Sequence, residues 1–198
     1  MTKSRLEAFS DGVLAVIITI MVLELKAPEG DTLADLRPLI PGFLSYILSF
    51  IYVGIYWNNH HHMLQLSNKV NGSVLWSNLH LLFWLSLIPF TTNWMDESEF
   101  KSLPVAVYGG VLLMCGLAYV ILEFRLIKAE GEHSKLAKAV AGDIKGKMSV
   151  VLYAIAIAAS FYRPWISLAI YALVAIMWFI PDKRIERFYE SAGKELEG

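Results

Sequence analysis

Six apolar segments, separated by shorter charged connections, constrain this chain more than any other feature of its sequence. They cover residues 9–25, 39–57, 74–94, 103–126, 148–161 and 164–180. A helix rises about 1.5 Å per residue and a hydrocarbon core is about 30 Å thick, so each of the first four segments is long enough to cross a membrane. The chain is also 56% hydrophobic over 198 residues, more apolar surface than one soluble core of this size buries. The pattern predicts an all-α integral membrane protein with six transmembrane helices.

The last two segments are shorter and need a separate argument. As one helix, residues 148–180 would extend about 50 Å, which exceeds the thickness of a bilayer core. Arg163 and Pro164 lie in the middle of this stretch, and proline is disfavoured inside a helix but tolerated at its start. We therefore predict a hairpin of two short spans with a tight turn at Arg163-Pro164. Residues 128–147 are predicted to form a solvated linker, and residues 181–198 a short amphipathic helix on the membrane surface.

The distribution of basic residues orients these segments, because Lys and Arg are retained on the cytoplasmic side of a membrane. Thirteen of the 17 basic residues lie before the first segment, after the second, at or after the end of the fourth, or after the sixth. This predicts that both termini are cytoplasmic, which requires an even number of spans and favours six over five. The expected location is the cell membrane, as a multi-pass protein with residues 1–198 in a single transmembrane domain.

The sequence carries no recognisable enzyme motif. It contains no glycine-rich phosphate loop, nucleophile elbow, CxxC pair or HExxH helix. The single cysteine, Cys115, lies within an apolar segment and excludes an intramolecular disulfide. His60 to His62 are consecutive, and consecutive side chains on a helix diverge by about 100°, so they cannot all bind one ion. We predict no enzymatic activity, no metal held by the protein, no cofactor and no nucleic-acid partner.

The first segment carries a carboxylate close to its predicted cytoplasmic end. Ser10 and Asp11 lie about one turn inside the segment, and the remainder is almost wholly aliphatic. Ionisable groups within a membrane face the protein interior and pair, so Asp11 is expected to accept hydrogen bonds from Arg5 or from the histidines after the second segment. A structural role for Asp11, as an ion pair or a cap, is favoured over direct contact with a transported ion.

A second feature of the first segment is a stripe that points away from Asp11. At 100° per residue, an arc of about 100° contains Gly12, Val16, Thr19, Ile20 and Leu23. The Thr19 hydroxyl is the one polar group on this stripe. From spacing alone, the simplest interpretation is that the stripe packs against another helix and that the Thr19 hydroxyl bonds to its own backbone.

Three stretches of the chain form a specific combination of motifs. The first is Arg5 with Phe-Ser-Asp-Gly-Val at residues 9–13 and Ala-Val-Ile-Ile-Thr at residues 15–19; the second is residues 56–61, with Trp57 and His60; the third runs from Asn78 to Phe90. Phe-Ser-Asp at the start of the first segment, with Trp-x2-His at the end of the second, is a distinctive pairing. In these residues the chain resembles the transmembrane protein 175 family of potassium channels, in its bacterial single-repeat form. The resemblance thins out after the fourth segment.

This resemblance implies a cation channel without a Thr-Val-Gly-Tyr-Gly filter, and the sequence contains none. In the family, the first helices of all repeats line the axis, and a hydrophobic constriction on them gates the pore. By position, the constriction maps to Val16, Ile20 and Leu23, with Thr19 as the selectivity residue. A structural polar network maps to Arg5, Ser10, Asp11, His60 and Trp57. Potassium is the expected permeant ion, and a homotetramer is expected because the chain contains the signature once.

Two other functions are left open by the residues alone. A secondary transporter, proton-coupled through Asp11, would need carboxylates near the midplane, broken helices or an inverted repeat, whereas Asp11, Glu24 and Glu123 lie near segment ends. A non-conducting membrane scaffold would give no ion flux from purified protein. The lipid bilayer is a partner in every interpretation, and monovalent cations and further copies of the chain are partners in the channel interpretation.

Overall fold

The structure is a computed structural model that describes residues 2–140 and 144–179, and within these ranges it consists of helices and their connections, with no strand. The helices are α1 (Lys3–Leu23), α2 (Leu33–Leu36), α3 (Ile40–Gln65), α4 (Gly72–Ser86), α5 (Ile88–Glu97), α6 (Ser102–Glu130), α7 (Lys135–Val140), α8 (Ile144–Ser160) and α9 (Pro164–Phe179). A 3-10 turn, Arg37–Leu39, joins α2 to α3. The predicted amphipathic helix at residues 181–198 lies outside the described residues.

Four helical stretches are long and apolar enough to cross a membrane. They are Lys3–Leu23, Leu33–Gln65, Gly72–Glu97 and Ser102–Glu130. The helices α8 and α9 have 17 and 16 residues and are shorter. The prediction of an all-helical fold with several apolar spans is confirmed, and the count of six spans stays a prediction.

The third apolar segment is two helices and not the single one expected from its sequence. It breaks at Leu87, because Pro89 lacks an amide hydrogen and cannot continue the backbone ladder of α4. The Thr92 hydroxyl donates to the Ile88 carbonyl oxygen at 2.8 Å, a local side-chain hydrogen bond within the first turns of α5. A broken helix is one mark of a secondary transporter, but residues 86–89 carry no ionisable side chain.

The connections beyond α6 follow local backbone rules. α8 ends at Ser160 and α9 begins at Pro164, so the predicted turn at Arg163-Pro164 is confirmed. α6 extends into the predicted linker as far as Glu130 and stops at Gly131, whose φ of 114° is a conformation that favours glycine. The linker then forms the short helix α7, with Leu136 buried.

The end of α6 is attached to the loop between α3 and α4. One Glu130 carboxylate oxygen accepts hydrogen bonds from the Ser67 hydroxyl at 3.0 Å, from the Asn68 amide at 2.6 Å and from the Lys69 amide. Backbone amides in such a loop would otherwise need water, so one carboxylate satisfies three donors at once. Glu130 thereby fixes the α3–α4 loop against α6.

The interior of the bundle contains several large, fully buried tyrosines. Tyr52 donates to the Tyr171 carbonyl oxygen at 2.6 Å, and Tyr171 donates to the Val105 carbonyl oxygen at 3.1 Å, which links α3, α6 and α9. The Tyr171 phenol lies directly against Gly109, where an added Cβ atom would overlap the phenol oxygen. A small residue on α6 therefore makes room for an aromatic side chain of α9.

Large apolar side chains also stay exposed along the long helices. Examples are Phe43 and Phe50 on α3, Phe83 on α4 and Phe124 on α6. A soluble protein of this size would bury many of these groups. Their exposure fits lipid as the surrounding solvent.

Candidate functional site

The first helix has two chemically different faces. The face toward the bundle contains Leu6, Ser10, Leu14, Ile17 and Met21, all buried against α3, α4 and α5. The opposite face contains the predicted stripe, with Val16 55%, Ile20 42% and Leu23 81% exposed, and with Gly12 and Thr19 also exposed. The stripe is therefore not used to pack α1 within its own chain.

A wide groove runs beside this exposed face. It has a volume of about 850 Å³ and lies between α1 and the broken helix pair α4 and α5. Val16 and Ile20 line it on one side, and Ser86, Phe90 and Asn93 on the other. The sequence analysis did not identify Ser86 or Asn93 as groove residues. Pro89 could have indicated both, because it marks the helix break that brings Ser86 and Asn93 to the α1 face.

Thr19 makes the local hydrogen bond to its own helix backbone that the sequence analysis predicted. Its hydroxyl donates to the Val16 carbonyl oxygen at 2.9 Å, one turn earlier in the helix. The hydroxyl oxygen retains its acceptor lone pairs, and the side chain is exposed on the stripe. The two interpretations of Thr19, as a residue bonded to its backbone and as an oxygen ligand facing outward, are therefore compatible.

A buried polar chain connects the other face of α1 to α3 and α4. The Asn78 side-chain amide donates to the Ser10 hydroxyl at 3.0 Å, and Ser10 donates to the Leu6 carbonyl oxygen at 2.9 Å. The Asn78 carbonyl oxygen lies 2.7 Å from the His60 Nε2 atom, an arrangement that places the proton on that nitrogen. These three side chains are buried among apolar groups, where unpaired polar atoms would be costly. Sequence reasoning placed Ser10 and His60 in a network but missed Asn78 as the residue that joins them.

Asp11 is bound by a different partner from those expected. The Trp57 indole nitrogen on α3 donates to the Asp11 carboxylate at 3.0 Å, whereas the sequence argument named Arg5 or the histidines as donors. Arg5 is exposed and makes no polar contact within the part of the chain that the structure describes. The His61 ring stacks on Trp57 with centroids 6.2 Å apart, so His60 and His61 have separate partners.

The far end of α1 is tied to the end of α5 by an exposed ion pair. The Lys26 ammonium donates to the Glu97 carboxylate at 2.9 Å. This hydrogen bond and the charge of the Glu97 carboxylate raise the pKa of the Lys26 ammonium, which keeps it protonated. The contact joins the two elements that border the groove.

The fold and its exposed apolar surfaces define a multi-pass α-helical membrane protein. The model of the family described as "Endosomal/lysosomal potassium channel TMEM175" matches residues 5–89. A protein of Chryseobacterium sp. (strain P1-3) named as a potassium channel is 60% identical over 187 residues, which cover 94% of this chain and 97% of that protein. The chain therefore belongs to the TMEM175 family, a family of ion channels and not of enzymes.

Similarity to other members extends over most of the chain. A protein of Chamaesiphon minutus named as a potassium channel is 30% identical over 188 residues, covering 87% of this chain and 91% of that protein. The crystal structure of a lysosomal potassium-selective channel TMEM175 homolog from Chamaesiphon minutus superimposes with a TM-score of 0.79 at 27% identity, covering 90% of this chain and 96% of that one. Each of these alignments covers at least 87% of this chain, so the similarity extends beyond α6.

Proposed function

We propose that this protein is a potassium-preferring cation channel of the cell membrane, with its pore along the exposed stripe of α1. The observation that carries the proposal is the division of α1 into a face buried in its own chain and an aliphatic face that its own chain leaves open. Relatives named as potassium channels support the same activity. In this proposal Val16, Ile20 and Leu23 form the constriction.

A pore on this face requires several copies of the chain. One α1 helix lines only one side of an axis, and the family signature occurs once in the sequence. We propose a homotetramer, in which four equivalent α1 helices surround the axis and the groove beside α1 faces a neighbouring copy. Further copies of the chain are then partners that complete the site.

The proposed topology has six spans and cytoplasmic termini. At about 1.5 Å per residue, α8 and α9 reach roughly 25 Å, which is enough to cross a slightly thinned bilayer core as a hairpin. The distribution of Lys and Arg supports this orientation. Ser10, Asp11, Trp57 and His60, held by the contacts described above, fix α1 against α3 and α4 so that the stripe keeps its direction.

The proposed mechanism follows from the chemistry of the stripe. A narrow ring of aliphatic side chains resists wetting, so an ion passes only when it sheds water or when the ring opens. Potassium is larger than sodium and less costly to dehydrate. Four Thr19 hydroxyl oxygens beside the narrowest ring would replace part of the lost hydration shell. Monovalent cations are thus the species acted upon, and no cofactor is required by this mechanism.

The proposal is tested by the reversal potential of the purified channel in planar bilayers, with potassium on one side and sodium on the other. The expected result is a reversal potential shifted toward the potassium equilibrium potential. Thr19→Ala should reduce this shift because it removes the hydroxyl ring, and Thr19→Ser is the matched control because it keeps the hydroxyl. Equal shifts in Thr19→Ala and the wild type would refute the role of Thr19.

A different outcome would replace the channel proposal itself. Saturable flux that depends on a counter-ion gradient would indicate a secondary transporter. Absence of current from folded, correctly inserted protein would indicate a non-conducting scaffold.

A further inference from the structure

One face of the long helix α6 stays open along its second half. At 100° per residue, an arc of about 60° contains four residues, which we call the α6 lane: Leu117, Ile121, Phe124 and Lys128. Leu117 is 36% exposed, Ile121 41% and Phe124 59%, and Lys128 is exposed as well. No residue of the lane lines the groove beside α1. The α6 lane is therefore a separate surface from the proposed pore.

The length of α6 places the two ends of this lane at different depths in a bilayer. α6 has 29 residues and is therefore about 43 Å long, longer than a hydrocarbon core of about 30 Å. With its central residue, Gly116, at the midplane, an upright α6 puts Phe124 about 12 Å and Lys128 about 18 Å from that plane. The hydrocarbon extends about 15 Å from the midplane, so the α6 lane leads from the acyl chains into the layer of lipid headgroups.

The headgroup end of the lane is positively charged. Arg125 directly follows Phe124, is exposed, and lies about 60° around the helix from Lys128. Neither Arg125 nor Lys128 makes an ion pair within residues 2–140 and 144–179. The two acidic residues of α6, Glu123 and Glu130, lie about 130° or more from the centre of the lane, and the Glu130 carboxylate accepts hydrogen bonds from the α3–α4 loop. The two cations therefore have no acidic neighbour on their own face of α6.

A third basic residue is held at the same end of α6. The Lys69 amide on the α3–α4 loop donates to the Glu130 carboxylate, and Lys69 is exposed. Basic residues gathered at the end of a membrane helix attract anionic headgroups. Both Arg and Lys bind phosphate through charge-assisted hydrogen bonds, and Arg can do so with two parallel N–H groups. An apolar lane that ends in such cations matches the two chemical parts of a phospholipid, its acyl chain and its phosphate.

We propose that the α6 lane binds an anionic phospholipid, with one acyl chain along Leu117, Ile121 and Phe124 and the phosphate at Arg125 and Lys128. A lipid with net negative charge is favoured over a zwitterionic one, because a headgroup ammonium would add a positive charge beside two cations that lack an acidic neighbour. A free phosphate ion would leave the apolar part of the lane unused. The site is independent of the proposed channel activity, since retention of a lipid can be measured without any current.

The test is native mass spectrometry of the purified full chain in detergent. The anionic probe is phosphatidylglycerol, and the matched probe is phosphatidylcholine with the same acyl chains; the wild type is expected to retain phosphatidylglycerol in preference. The double variant Arg125→Gln, Lys128→Gln should bind phosphatidylglycerol about fivefold more weakly for each charge removed and phosphatidylcholine as before. Lys101→Gln is the matched control, because Lys101 is exposed at the opposite end of α6 and makes no ion pair among the described residues.

A second double variant, Arg125→Lys with Lys128→Arg, keeps both charges and should retain phosphatidylglycerol as the wild type does. The proposal is overturned if the wild type retains the two lipids equally, or if Lys101→Gln loses phosphatidylglycerol as strongly as the double glutamine variant. Displacement of phosphatidylglycerol by water-soluble glycerol phosphate would also overturn it, since the site would then bind the phosphate group alone. All substituted side chains are exposed, and equal thermal unfolding midpoints verify that the variants are folded.

Discussion

The Ser10 hydroxyl on α1 and the Asn78 side chain on α4 are joined by a 3.0 Å hydrogen bond in a fully buried position. The side-chain carbonyl oxygen of Asn78 contacts the Nε2 atom of His60 on α3. One asparagine thus holds three helices through both ends of its amide, in a region where no water is needed to satisfy it. The direction in which the α1 stripe faces depends on this contact.

Replacing Asn78 by alanine should destabilise the protein, because both Ser10 and His60 would lose a buried partner. The expected loss is about 1–3 kcal/mol in the free energy of unfolding. Thermal unfolding of purified protein in detergent measures it. Asn58→Ala is the control, since Asn58 is exposed and should tolerate the change; equal midpoints for the two variants would show that the Asn78 bridge contributes little.

Replacing Val16 by asparagine should increase the single-channel current several-fold, because a polar ring is wetted more readily than an aliphatic one. Val22→Asn is the matched control: Val22 is an exposed valine of the same helix, 46% accessible, but lies outside the stripe. Single-channel recording in planar bilayers distinguishes them. An increase in both variants, or in neither, would contradict the assignment of the pore to the stripe.

The neighbouring glycines of α6 should respond to alanine in opposite ways. In Gly109→Ala the new Cβ atom would overlap the Tyr171 phenol, which should cost about 1–3 kcal/mol of stability through forced repacking. Gly110 has no neighbour within 4 Å of the same position, so Gly110→Ala should stabilise the helix by about 0.5–1 kcal/mol. Thermal unfolding midpoints of the two variants test the pair, and a midpoint for Gly109→Ala at or above the wild-type value would show that Tyr171 moves freely.

Removal of the Glu130 carboxylate should loosen the α3–α4 loop. Glu130→Ala leaves the Ser67 hydroxyl and two backbone amides without their acceptor. We expect the free energy of unfolding to fall by about 1–2 kcal/mol, a limited loss because water can replace part of the missing hydrogen bonding. Glu132→Ala, two residues later and exposed, is the control. Hydrogen exchange of the Asn68 and Lys69 amides gives a local readout, which should accelerate in Glu130→Ala alone.

Sequence reasoning succeeded where the signal is local. Apolar length located the helices, and Arg163-Pro164 located the turn between α8 and α9. The helical spacing grouped Val16, Ile20 and Leu23 on one arc, and the structure finds all three exposed together. Their role as a constriction stays a prediction.

Sequence reasoning failed where a contact joins distant segments. It named Arg5 or a histidine as the donor to Asp11, but the donor is Trp57, which the family resemblance placed in the same network without pairing it with Asp11. It did not assign Asn78 to the network, because an asparagine in an apolar segment gives no indication of which helices it joins. The break at Leu87 was missed although Pro89 marks it.

The sequence by itself determined the class of this protein and the course of its helices. In a bilayer each spanning segment must satisfy its own backbone hydrogen bonds, so apolar length and proline position are sufficient to place helices along the chain. Only the tertiary structure decided which side chains meet, including Asn78 with Ser10, Trp57 with Asp11, and Tyr171 with Gly109. Those contacts depend on how helices pack side by side, and packing in a membrane is set by shape and polar pairing between segments that are distant in sequence.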